Sequence, residues 1–411
     1  MIYNRHFHRY FKGVSTMYKV KTIDQFPLTA LATDFFELTN QEAADAILVR
    51  SSKVPNNLIR PELLAIARAG SGVNTINLAA CTKNGTVVFN TPGANANAVK
   101  ELIIQCLFRC VRPLNSAIKM TANLQAKFQE DLQVLAESQR KNYLGHELYG
   151  KTIGILGLGM IGQRLAETCY QLGMQVIGYN RSFKSLPHIL QLPKIEEILA
   201  LADFVVILLP LTDQTRHFLT NRHFKLMKKT AFLLNFGRNQ IVDNQALLTA
   251  LANNEFAGYI TDFPKTELQN QPKITLLPHL GGNTAEALTS STNLALQSLL
   301  NFLASGTIQQ AVNFPAVDLP FDSPQRITLY FANHQTLWNA ITQTLSSYGL
   351  PINEMAGNTT KEGYSYSLIN TDLSACNLQQ ILQLPTDLAK IPGMIRVRLL
   401  DSPANIIQTS N

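Results

Sequence analysis

The chain has 411 residues, which is too long for one ordinary hydrophobic core and predicts two or three domains. Hydrophobic residues make up 46% of the chain and charged residues 15%, so an intrinsically disordered protein is excluded. No apolar run reaches the roughly 20 residues that span a bilayer, and no signal-peptide pattern is present. The net charge of +7 suits anionic substrates at least as well as nucleic acid.

Residues 1–16 are rich in basic and aromatic side chains and contain no acidic residue. Such a start is similar to a targeting peptide or a nucleic-acid-binding arm. Because the stretch that begins at Met17 looks like a natural domain start, residues 1–16 are interpreted as a disordered or spurious extension. Of the five cysteines, Cys106 and Cys110 are four residues apart, but no second Cys or His pair is present to complete a metal site with them. The cysteines are therefore predicted to be reduced thiols in a cytoplasmic protein.

Short apolar runs alternate with helical stretches over residues 17–112, which indicates an α/β domain. Ala46–Val49 is one such apolar run. Val99–Val111 has helical periodicity and meets no helix-breaking residue before Pro113. It is therefore predicted to be a long connecting helix.

The clearest pattern lies between Leu148 and Gly282, where continuous apolar runs are separated by helical stretches. Continuous apolar strands indicate a parallel sheet covered on both faces, and right-handed crossovers make it a doubly wound domain. Thr284–Leu303 is predicted to be a long helix that carries the chain back to the first zone. The predicted strands are Thr152–Leu156, Gln175–Tyr179, Phe204–Leu209, Ala231–Phe236, Ala257–Thr261 and Ile274–Leu277.

A third zone begins near Pro324, after the proline-containing stretch Val312–Pro324 that is predicted to be a linker. Its elements run in the order strand, helix, strand, strand, helix, strand, which is the ferredoxin-like arrangement. These predicted elements are Arg326–Phe331, Thr336–Tyr348, Ile352–Asn358, Tyr364–Asn370, Leu378–Leu388 and Met394–Leu400.

The motif GLGMIG at residues 157–162 follows the first strand of the doubly wound sheet and opens a helix. This is the context that a dinucleotide-binding fingerprint requires. Gly157 permits a tight turn, Gly159 lets the backbone approach a pyrophosphate, and Gly162 allows close packing of helix and strand. The helix N-terminus offers free N–H groups to the phosphates, so NAD or NADP is the predicted cofactor.

The residue that should hold the cofactor's ribose lies about 20 positions further on, where the second strand ends. Asn180 stands there in place of the usual acidic residue, and Arg181 and Ser182 follow it. A neutral residue with Arg and Ser can accept a 2′-phosphate, which a carboxylate would repel. NADP is therefore expected to be used at least as well as NAD. In the alternative, Arg181 is merely exposed and Asn180 binds the ribose of NAD.

Several motifs in one order resemble the D-isomer-specific 2-hydroxyacid dehydrogenase family. The strongest are LNFGRNQIVD at residues 234–243 and LPHLGGNT at residues 277–284. Further matches are RAGSGVNTI at 68–76, NTPGAN at 90–95 and VNFP at 312–315. Within the family, the chain looks most like the short bacterial D-3-phosphoglycerate dehydrogenases that carry a C-terminal ACT domain.

The resemblance implies a domain arrangement with three folded parts. Residues 17–113 with 285–312 would form a flavodoxin-like substrate-binding and catalytic domain. Residues 114–284 would form the Rossmann dinucleotide-binding domain, 313–323 a linker, and 324–411 a ferredoxin-like, ACT-type regulatory domain.

The resemblance also assigns the catalytic groups. His279 would exchange the hydroxyl proton as acid and base, a role that imidazole suits near neutral pH. Arg238 would bind the substrate carboxylate and polarise the 2-oxo group with its planar fork of donors. The third group is a glutamate that hydrogen-bonds the histidine. Aligning the Phe-Pro pair places Thr266 at that position, and Glu267 is assigned with a one-residue loop adjustment.

For the substrate, the resemblance implies that backbone N–H groups of residues 71–73 bind the carboxylate and that Arg50 binds a phosphate. Ser52 stands where relatives carry a second Arg, and Lys53 can compensate for it. Asp262 is expected near the nicotinamide carboxamide. The implied cofactor-binding residues are Gly157, Gly159, Met160, Ile161, Gly162, Asn180, Arg181, Pro210, Gly237, Asp262 and Gly282. The implied substrate-binding residues are Arg50, Ser71, Gly72, Val73 and Asn95.

The C-terminal zone departs from the ligand-binding pattern of an ACT domain. Asn333 matches a ligand-binding Asn, but Phe331 replaces a His. Gln335-Thr336 lack the usual Pro-Gly turn, and Pro351 replaces a second Asn. Feedback by serine is therefore expected to be weak or absent. The zone is expected to serve mainly oligomerisation, in a homodimer or a homotetramer.

The activity that the resemblance implies is NAD(P)-dependent oxidation of 3-phosphoglycerate. One alternative is an NADPH-dependent reductase of hydroxypyruvate, glyoxylate or other 2-oxoacids, which Asn180-Arg181 and the single strong phosphate ligand, Arg50, keep open. A second alternative is a non-catalytic nucleotide-sensing scaffold. The presence of Arg238 and His279 favours an enzyme. No metal, membrane or nucleic-acid partner is expected.

Overall fold

The computed structural model describes residues 17–26, 36–125, 131–332, 337–350 and 352–402. The interpretation of residues 1–16 therefore lies outside the described residues. The chain divides into two compact units, one of residues 1–94 with 288–411 and the other of residues 95–287. In the described part, no helix is both long and apolar enough to cross a membrane.

The first unit contains a five-stranded parallel sheet with the strand order β2-β1-β3-β4-β5. This is the flavodoxin-like order, as the sequence predicts. Its strands are β1 (Tyr18–Thr22), β2 (Phe36–Thr39), β3 (Ala46–Val49), β4 (Ala65–Arg68) and β5 (Val87–Phe89). Helix α1 (Leu78–Asn84) is capped at one end by the Asn77 side chain and at the other by Gly85 in the left-handed conformation.

The second unit contains the seven-stranded parallel sheet, in the order β12-β11-β10-β9-β6-β7-β8. The order reverses on either side of β6, as in a doubly wound Rossmann domain, so this prediction is confirmed. Its strands are β6 (Thr152–Leu156), β7 (Gln175–Tyr179), β8 (Leu190–Gln191), β9 (Phe204–Ile207), β10 (Phe232–Asn235), β11 (Gly258–Thr261) and β12 (Ile274–Leu276).

Helices cover both faces of this sheet because neighbouring strand residues point in opposite directions. Val205 packs into one buried cluster and Val206 into another. The helices of the unit are α2 (Ala96–Val111), α3 (Leu114–Ala122), α4 (Leu132–Gln139), α5 (Met160–Gln171), α6 (Ile195–Leu201), α7 (Asn221–Phe224) and α8 (Asn244–Ala252). Helix α9 (Ala285–Ser305) then continues into the first unit.

The C-terminal part forms a four-stranded antiparallel sheet in the order β14-β15-β13-β16. The elements are β13 (Gln325–Ala332), α10 (Leu337–Ser347), β14 (Glu354–Thr359), β15 (Tyr364–Thr371), α11 (Leu378–Ala389) and β16 (Met394–Asp401). One face packs on the two helices, where Phe331 is fully buried against Trp338. The expectations at Asn333, Gln335-Thr336 and Pro351 lie outside the described residues.

The opposite face of the C-terminal sheet is also buried. Tyr330, Tyr366 and Leu368 share one apolar cluster with Phe302 of α9 and with the first sheet. The stretch predicted to be a linker contributes Phe314 to the same cluster, stacked on Tyr330.

Two buried arginines fasten the C-terminal sheet to the last turn of α9. Arg398 donates from Nη1 to the carbonyl of Phe302 at 3.0 Å and from Nη2 to that of Leu303 at 2.8 Å. Arg326 donates from Nη1 to the carbonyl of Ser305 at 2.9 Å. Cations at this end of a helix complement its dipole and satisfy carbonyls that have no partner within the helix.

Candidate active site

The glycine loop between β6 and α5 is tightly packed at its ends and open in the middle. Gly157 has φ of +112°, and a Cβ there would lie 2.8 Å from the carbonyl carbon of Leu208. At Gly162 a Cβ would collide with the carbonyl oxygen of Gly157, whereas at Gly159 it would meet nothing within 4 Å. Gly159 is the N-cap residue of helix α5 and provides no side-chain cap, so the N–H groups of the first turn suit a phosphate. The loop therefore fits a dinucleotide.

The loop after β7 carries cations and lacks the acidic residue that would repel the 2′-phosphate of NADP. Asn180 is half-buried and donates from Nδ2 to the carbonyl of Ser182 at 3.0 Å. Arg181 is exposed, and the Nζ atom of Lys184 donates to the carbonyl of Leu158, within the glycine loop, at 2.8 Å. Lys184 was not among the predicted residues, since its contact spans 26 positions.

Arg238 follows β10 and is held from below by Asn235, the buried last residue of that strand. Asn235 donates from Nδ2 to the carbonyl of Arg238 at 3.0 Å and to the hydroxyl of Tyr259 at 3.1 Å. Its Oδ1 atom accepts from the N–H of Gly237 at 3.1 Å. The Arg238 guanidinium lies 5.6 Å from the ring centre of Phe263. Burial lowers the pKa of Arg238, but a guanidinium remains protonated at neutral pH.

His279 lies in the loop after β12, with φ of +60°, a backbone conformation uncommon for residues other than Gly. Asp262, buried at the end of β11, holds this loop: its oxygens accept from the N–H groups of Leu280 and Gly281, each at 2.7 Å. Burial raises the pKa of Asp262, and the amide hydrogen bonds act in the opposite direction. A Cβ on Gly281 would lie 2.9 Å from Asp262 Oδ2. The sequence expectation placed Asp262 at the cofactor, and the described contact is with the histidine loop.

The ring of Phe263 lies next to both Arg238 and His279. Its ring centre lies 5.1 Å from that of His279 and 5.6 Å from Cζ of Arg238. The three residues follow β10, β11 and β12, which are adjacent parallel strands, so their carboxyl ends meet at one edge of the sheet. Phe263 was not predicted as a site residue because an aromatic side chain beside a strand end carries no signal of its own.

Glu267 is exposed, and its Oε1 atom accepts from Nδ2 of Asn244 at 2.9 Å. Its own backbone N–H and the Asn244 amide lower the pKa of this carboxyl. Within the described residues, no hydrogen bond or ion pair joins Glu267 to His279. Thr266 opens the short 3-10 turn on which Glu267 lies.

The other predicted cofactor and substrate residues of this unit lie at loop ends. A Cβ on Gly282 would lie 2.7 Å from Nδ2 of Asn95, the residue that precedes α2, so these two predicted residues are neighbours. A Cβ on Gly237 would lie 2.8 Å from the carbonyl oxygen of Leu209, which explains the glycine there. Pro210 is exposed and its carbonyl accepts from Thr215 at 2.6 Å. Met160 and Ile161 open helix α5.

In the first unit, the loop after β3 wraps around a carboxylate. Asp24 Oδ2 accepts from the backbone N–H groups of Arg50, Ser51 and Ser52 at 2.6, 3.1 and 3.4 Å. Its Oδ1 atom accepts from the Ser52 hydroxyl at 2.6 Å. Partial burial opposes ionisation, but these hydrogen bonds outweigh it and hold the pKa of Asp24 below its ordinary value. The backbone N–H groups of residues 50–52 are therefore occupied by Asp24.

The loop of residues 71–73 follows β4. Asn90 donates from Nδ2 to the carbonyl of Ser71 at 2.7 Å, and the N–H of Thr91 donates to the carbonyl of Gly70 at 3.0 Å. Among the described residues, the N–H groups of Ser71, Gly72 and Val73 have no hydrogen-bond acceptor. Their expected role in binding a substrate carboxylate stays a prediction.

Comparison with known proteins defines the family. Residues 113–281 match the model of the D-isomer specific 2-hydroxyacid dehydrogenase, NAD binding domain. The chain is 32% identical to a glyoxylate reductase of Thermococcus gammatolerans, over 59% of this chain and 74% of that protein. It is 31% identical to the D-3-phosphoglycerate dehydrogenase of Methanocaldococcus jannaschii, over 74% of this chain but only 57% of that protein. The chain belongs to the D-isomer-specific 2-hydroxyacid dehydrogenase family.

A structural comparison agrees with the fold. The NAD⁺-bound 3-phosphoglycerate dehydrogenase of Entamoeba histolytica superposes with a TM-score of 0.58 at 24% identity, over 72% of this chain and 99% of that one. The chain spans little more than half the length of the M. jannaschii relative, and of a Bacillus subtilis D-3-phosphoglycerate dehydrogenase it covers 56%.

Proposed function

We propose that this protein is a D-3-phosphoglycerate dehydrogenase, which oxidises 3-phosphoglycerate to 3-phosphohydroxypyruvate with NAD or NADP in the first step of L-serine biosynthesis. The observation that carries the proposal is that Arg238 and His279 lie beside one ring, Phe263, at the carboxyl edge of a sheet whose glycine loop fits a dinucleotide. In open parallel sheets this edge is where ligands bind.

The residues support an acid–base role combined with carboxylate binding. In the oxidation, the His279 imidazole accepts the proton of the C2 hydroxyl while the C2–H bond breaks. A nicotinamide cofactor held at the glycine loop would accept the hydride from C2, so that the products are the 2-oxoacid, the reduced cofactor and one proton. Arg238 binds the substrate carboxylate through parallel N–H donors and polarises the C2 oxygen. Asp262 holds the backbone of the histidine loop in its left-handed conformation.

Glu267 is proposed to stabilise the protonated form of His279, as the resemblance implies. This role requires the exposed carboxylate to exchange its hydrogen bond with Asn244 for one with the imidazole. Both groups are exposed, which makes such an exchange inexpensive in desolvation.

NADP is proposed to be used at least as well as NAD. Support comes from Asn180, which as a neutral residue does not repel a 2′-phosphate, and from the exposed Arg181 and the Lys184 ammonium beside the glycine loop, which as cations attract one.

One observation favours a second candidate, a reductase of unphosphorylated 2-oxoacids such as hydroxypyruvate or glyoxylate. The Asp24 carboxylate occupies the amides of the Arg50 loop and places a negative charge beside the backbone of Arg50, the residue proposed to bind the phosphate. Phosphate binding would then rest on Arg50 and Lys53 alone. The similarity to a glyoxylate reductase is consistent with this candidate.

Steady-state kinetics separates the candidates. We would measure the reduction of 3-phosphohydroxypyruvate, hydroxypyruvate and glyoxylate, each with NADH and with NADPH. A preference of about 100-fold in kcat/KM for the phosphorylated substrate, worth roughly 2.7 kcal/mol, is the expected result. Equal or faster turnover of the unphosphorylated acids would establish the reductase instead. No turnover of any of them would contradict both and leave a nucleotide-sensing scaffold.

The protein is further proposed to self-associate as a homodimer or a homotetramer. Helices α3 and α4 contain no buried residue, yet they carry the exposed apolar side chains Leu114, Ile118 and Val134. Such apolar groups on neighbouring helices are typical of a surface that a partner covers. Sedimentation equilibrium tests the proposal, and a mass of one chain, 45.6 kDa, would contradict it.

A further inference from the structure

Three consecutive carbonyl groups of the loop after β4 are hydrogen-bonded to the body of the first unit. The carbonyl of Gly70 accepts from the N–H of Thr91, and that of Ser71 from Nδ2 of Asn90. The carbonyl of Gly72 accepts from Nη1 of Arg68. The loop is thus held by its oxygen atoms and through two side chains.

The direction of these carbonyls determines the direction of the amides. In a trans peptide unit the C=O and N–H bonds point in opposite directions, and no cis peptide bond is present in the described residues. Because the carbonyls of residues 70–72 point toward Arg68, Asn90 and Thr91, the N–H groups of residues 71–73 point away from them. Successive N–H groups that point the same way form an anion-binding concavity.

Arg68 connects this loop to the neighbouring one. Its Nε atom donates to the carbonyl of Arg50 at 2.8 Å, while Nη1 holds Gly72. The guanidinium lies over Gly70, where a Cβ would be 3.7 Å from its Cζ. Arg68 ends β4 next to Val49 of β3, so one side chain joins the two loops that follow adjacent strands. Its fixed positive charge lies behind the loop and adds to the field that favours an anion.

We infer that Arg68 is a positioning residue for the substrate, which orients the amides of residues 71–73 toward the substrate carboxylate and fixes the backbone of Arg50. The inference rests on the proposed function and adds to it a residue that no comparison assigns. Lys cannot replace Arg68 here, because one ammonium has no planar fork with which to hold two carbonyls of different loops.

The test compares Arg68→Lys with wild type in steady-state reduction of the 2-oxoacid that wild type reduces best. The expected result is a rise of about tenfold or more in the KM for the 2-oxoacid, corresponding to one or two lost charge-assisted hydrogen bonds. The affinity for NAD(P)H, measured by fluorescence titration, is expected to stay within about twofold. Arg60→Lys is the matched control, since Arg60 also holds a carbonyl, that of Glu42 at 2.6 Å, but precedes β4 at the opposite edge of the sheet.

Asn90→Ala is a second test variant, because the Asn90 side chain holds the same loop through the carbonyl of Ser71. This substitution is also expected to raise the KM for the 2-oxoacid. It carries the test if Arg68→Lys does not fold, as judged by thermal unfolding. An unchanged KM for the 2-oxoacid in a folded variant, or an equal loss of cofactor affinity, would overturn the role of Arg68 while the proposed function stood. Absence of 2-oxoacid turnover in wild type would overturn both.

Discussion

The loop in which His279 has a left-handed backbone is hydrogen-bonded to a single buried carboxylate, that of Asp262. Each of its oxygens accepts one N–H from the loop, at 2.7 Å, so both acceptors are used. Asp262→Asn keeps the shape but has only one acceptor oxygen, and one N–H of the loop loses its partner. We expect kcat to fall on the order of tenfold or more, because small displacements of a reacting group are costly. The Tm measures whether the variant keeps its fold.

Asp203→Asn is the matched control for this prediction. Asp203 also accepts a backbone N–H, that of Thr152 at 2.8 Å, but at the amino end of β6. It should lower the Tm without a selective effect on kcat. An Asp262→Asn variant with the wild-type kcat would show that the loop keeps its conformation without the carboxylate.

Glu267 can be tested by the direction of a pH shift. A carboxylate next to an imidazolium stabilises the protonated form. If Glu267 pairs with His279, Glu267→Gln destabilises that form, and the acid limb of the oxidation profile moves to lower pH. Reduction, which needs the protonated imidazole, becomes slower near neutral pH. Profiles of kcat/KM in both directions measure the two shifts.

Asn244→Ala is the comparison variant for Glu267→Gln, since it removes the hydrogen bond from Asn244 to Glu267, at 2.9 Å, that competes with pairing to His279. Its profile should match the wild type or move in the direction opposite to that of Glu267→Gln. A Glu267→Gln enzyme with unshifted limbs would remove Glu267 from the catalytic groups.

At the scale of elements, Asp24 ties the end of β1 to the loop after β3. Its folded pKa lies below the ordinary value of roughly 3.9, so its contribution to stability is present above that value and is lost as the pH falls through the lowered folded pKa. Asp24→Asn should therefore lower the Tm by a constant amount above about pH 5, and the difference from wild type should shrink below about pH 4. Thermal unfolding from pH 2 to pH 7 provides the measurement.

Asp24→Asn also removes the negative charge beside Arg50, the residue proposed to bind the substrate phosphate. Ser51→Ala serves as the control, since its backbone N–H, rather than its side chain, binds Asp24 at 3.1 Å. A difference in Tm between Asp24→Asn and wild type that stays constant down to pH 2 would mean that the hydrogen bonds do not favour the ionised carboxyl.

Local signals in the sequence predicted most of the nucleotide-binding sheet and far less of the contacts that hold the sites. Strands β6 and β7 were predicted with the observed limits because each is a short, mainly apolar run close to a glycine at positive φ, Gly157 directly after β6 and Gly173 two residues before β7. Helices α3 and α4, which bury no residue within the chain, were not predicted.

The contacts that orient the loops join distant parts of the chain. The contact of Asp24 with Arg50 spans 26 positions, and that of Arg396 with Pro61 spans 335. No local pattern records such pairings. The burial of the second face of the C-terminal sheet was not predicted either, because that face packs on α9 and on the first sheet, which are distant in the sequence.

At the scale of the molecule, the C-terminal sheet is expected to unfold together with the rest of the first unit. Arg398 is 2% exposed, its guanidinium lies 4.7 Å from the Phe302 ring centre, and it binds the carbonyls of Phe302 and Leu303. Arg398→Ala leaves these helix-end carbonyls without their cation and opens a cavity, which should cost about 2–4 kcal/mol. Calorimetry should show a single transition for the unit that moves to a lower Tm.

Lys361→Ala is the control for this change, because it removes a cation from an exposed turn of the same C-terminal sheet and should leave the Tm nearly unchanged. If Arg398→Ala instead produces a separate early transition with an unchanged main one, the C-terminal sheet folds by itself. A single transition that moves to a lower Tm would mean that the C-terminal sheet and the first sheet unfold as one cooperative unit.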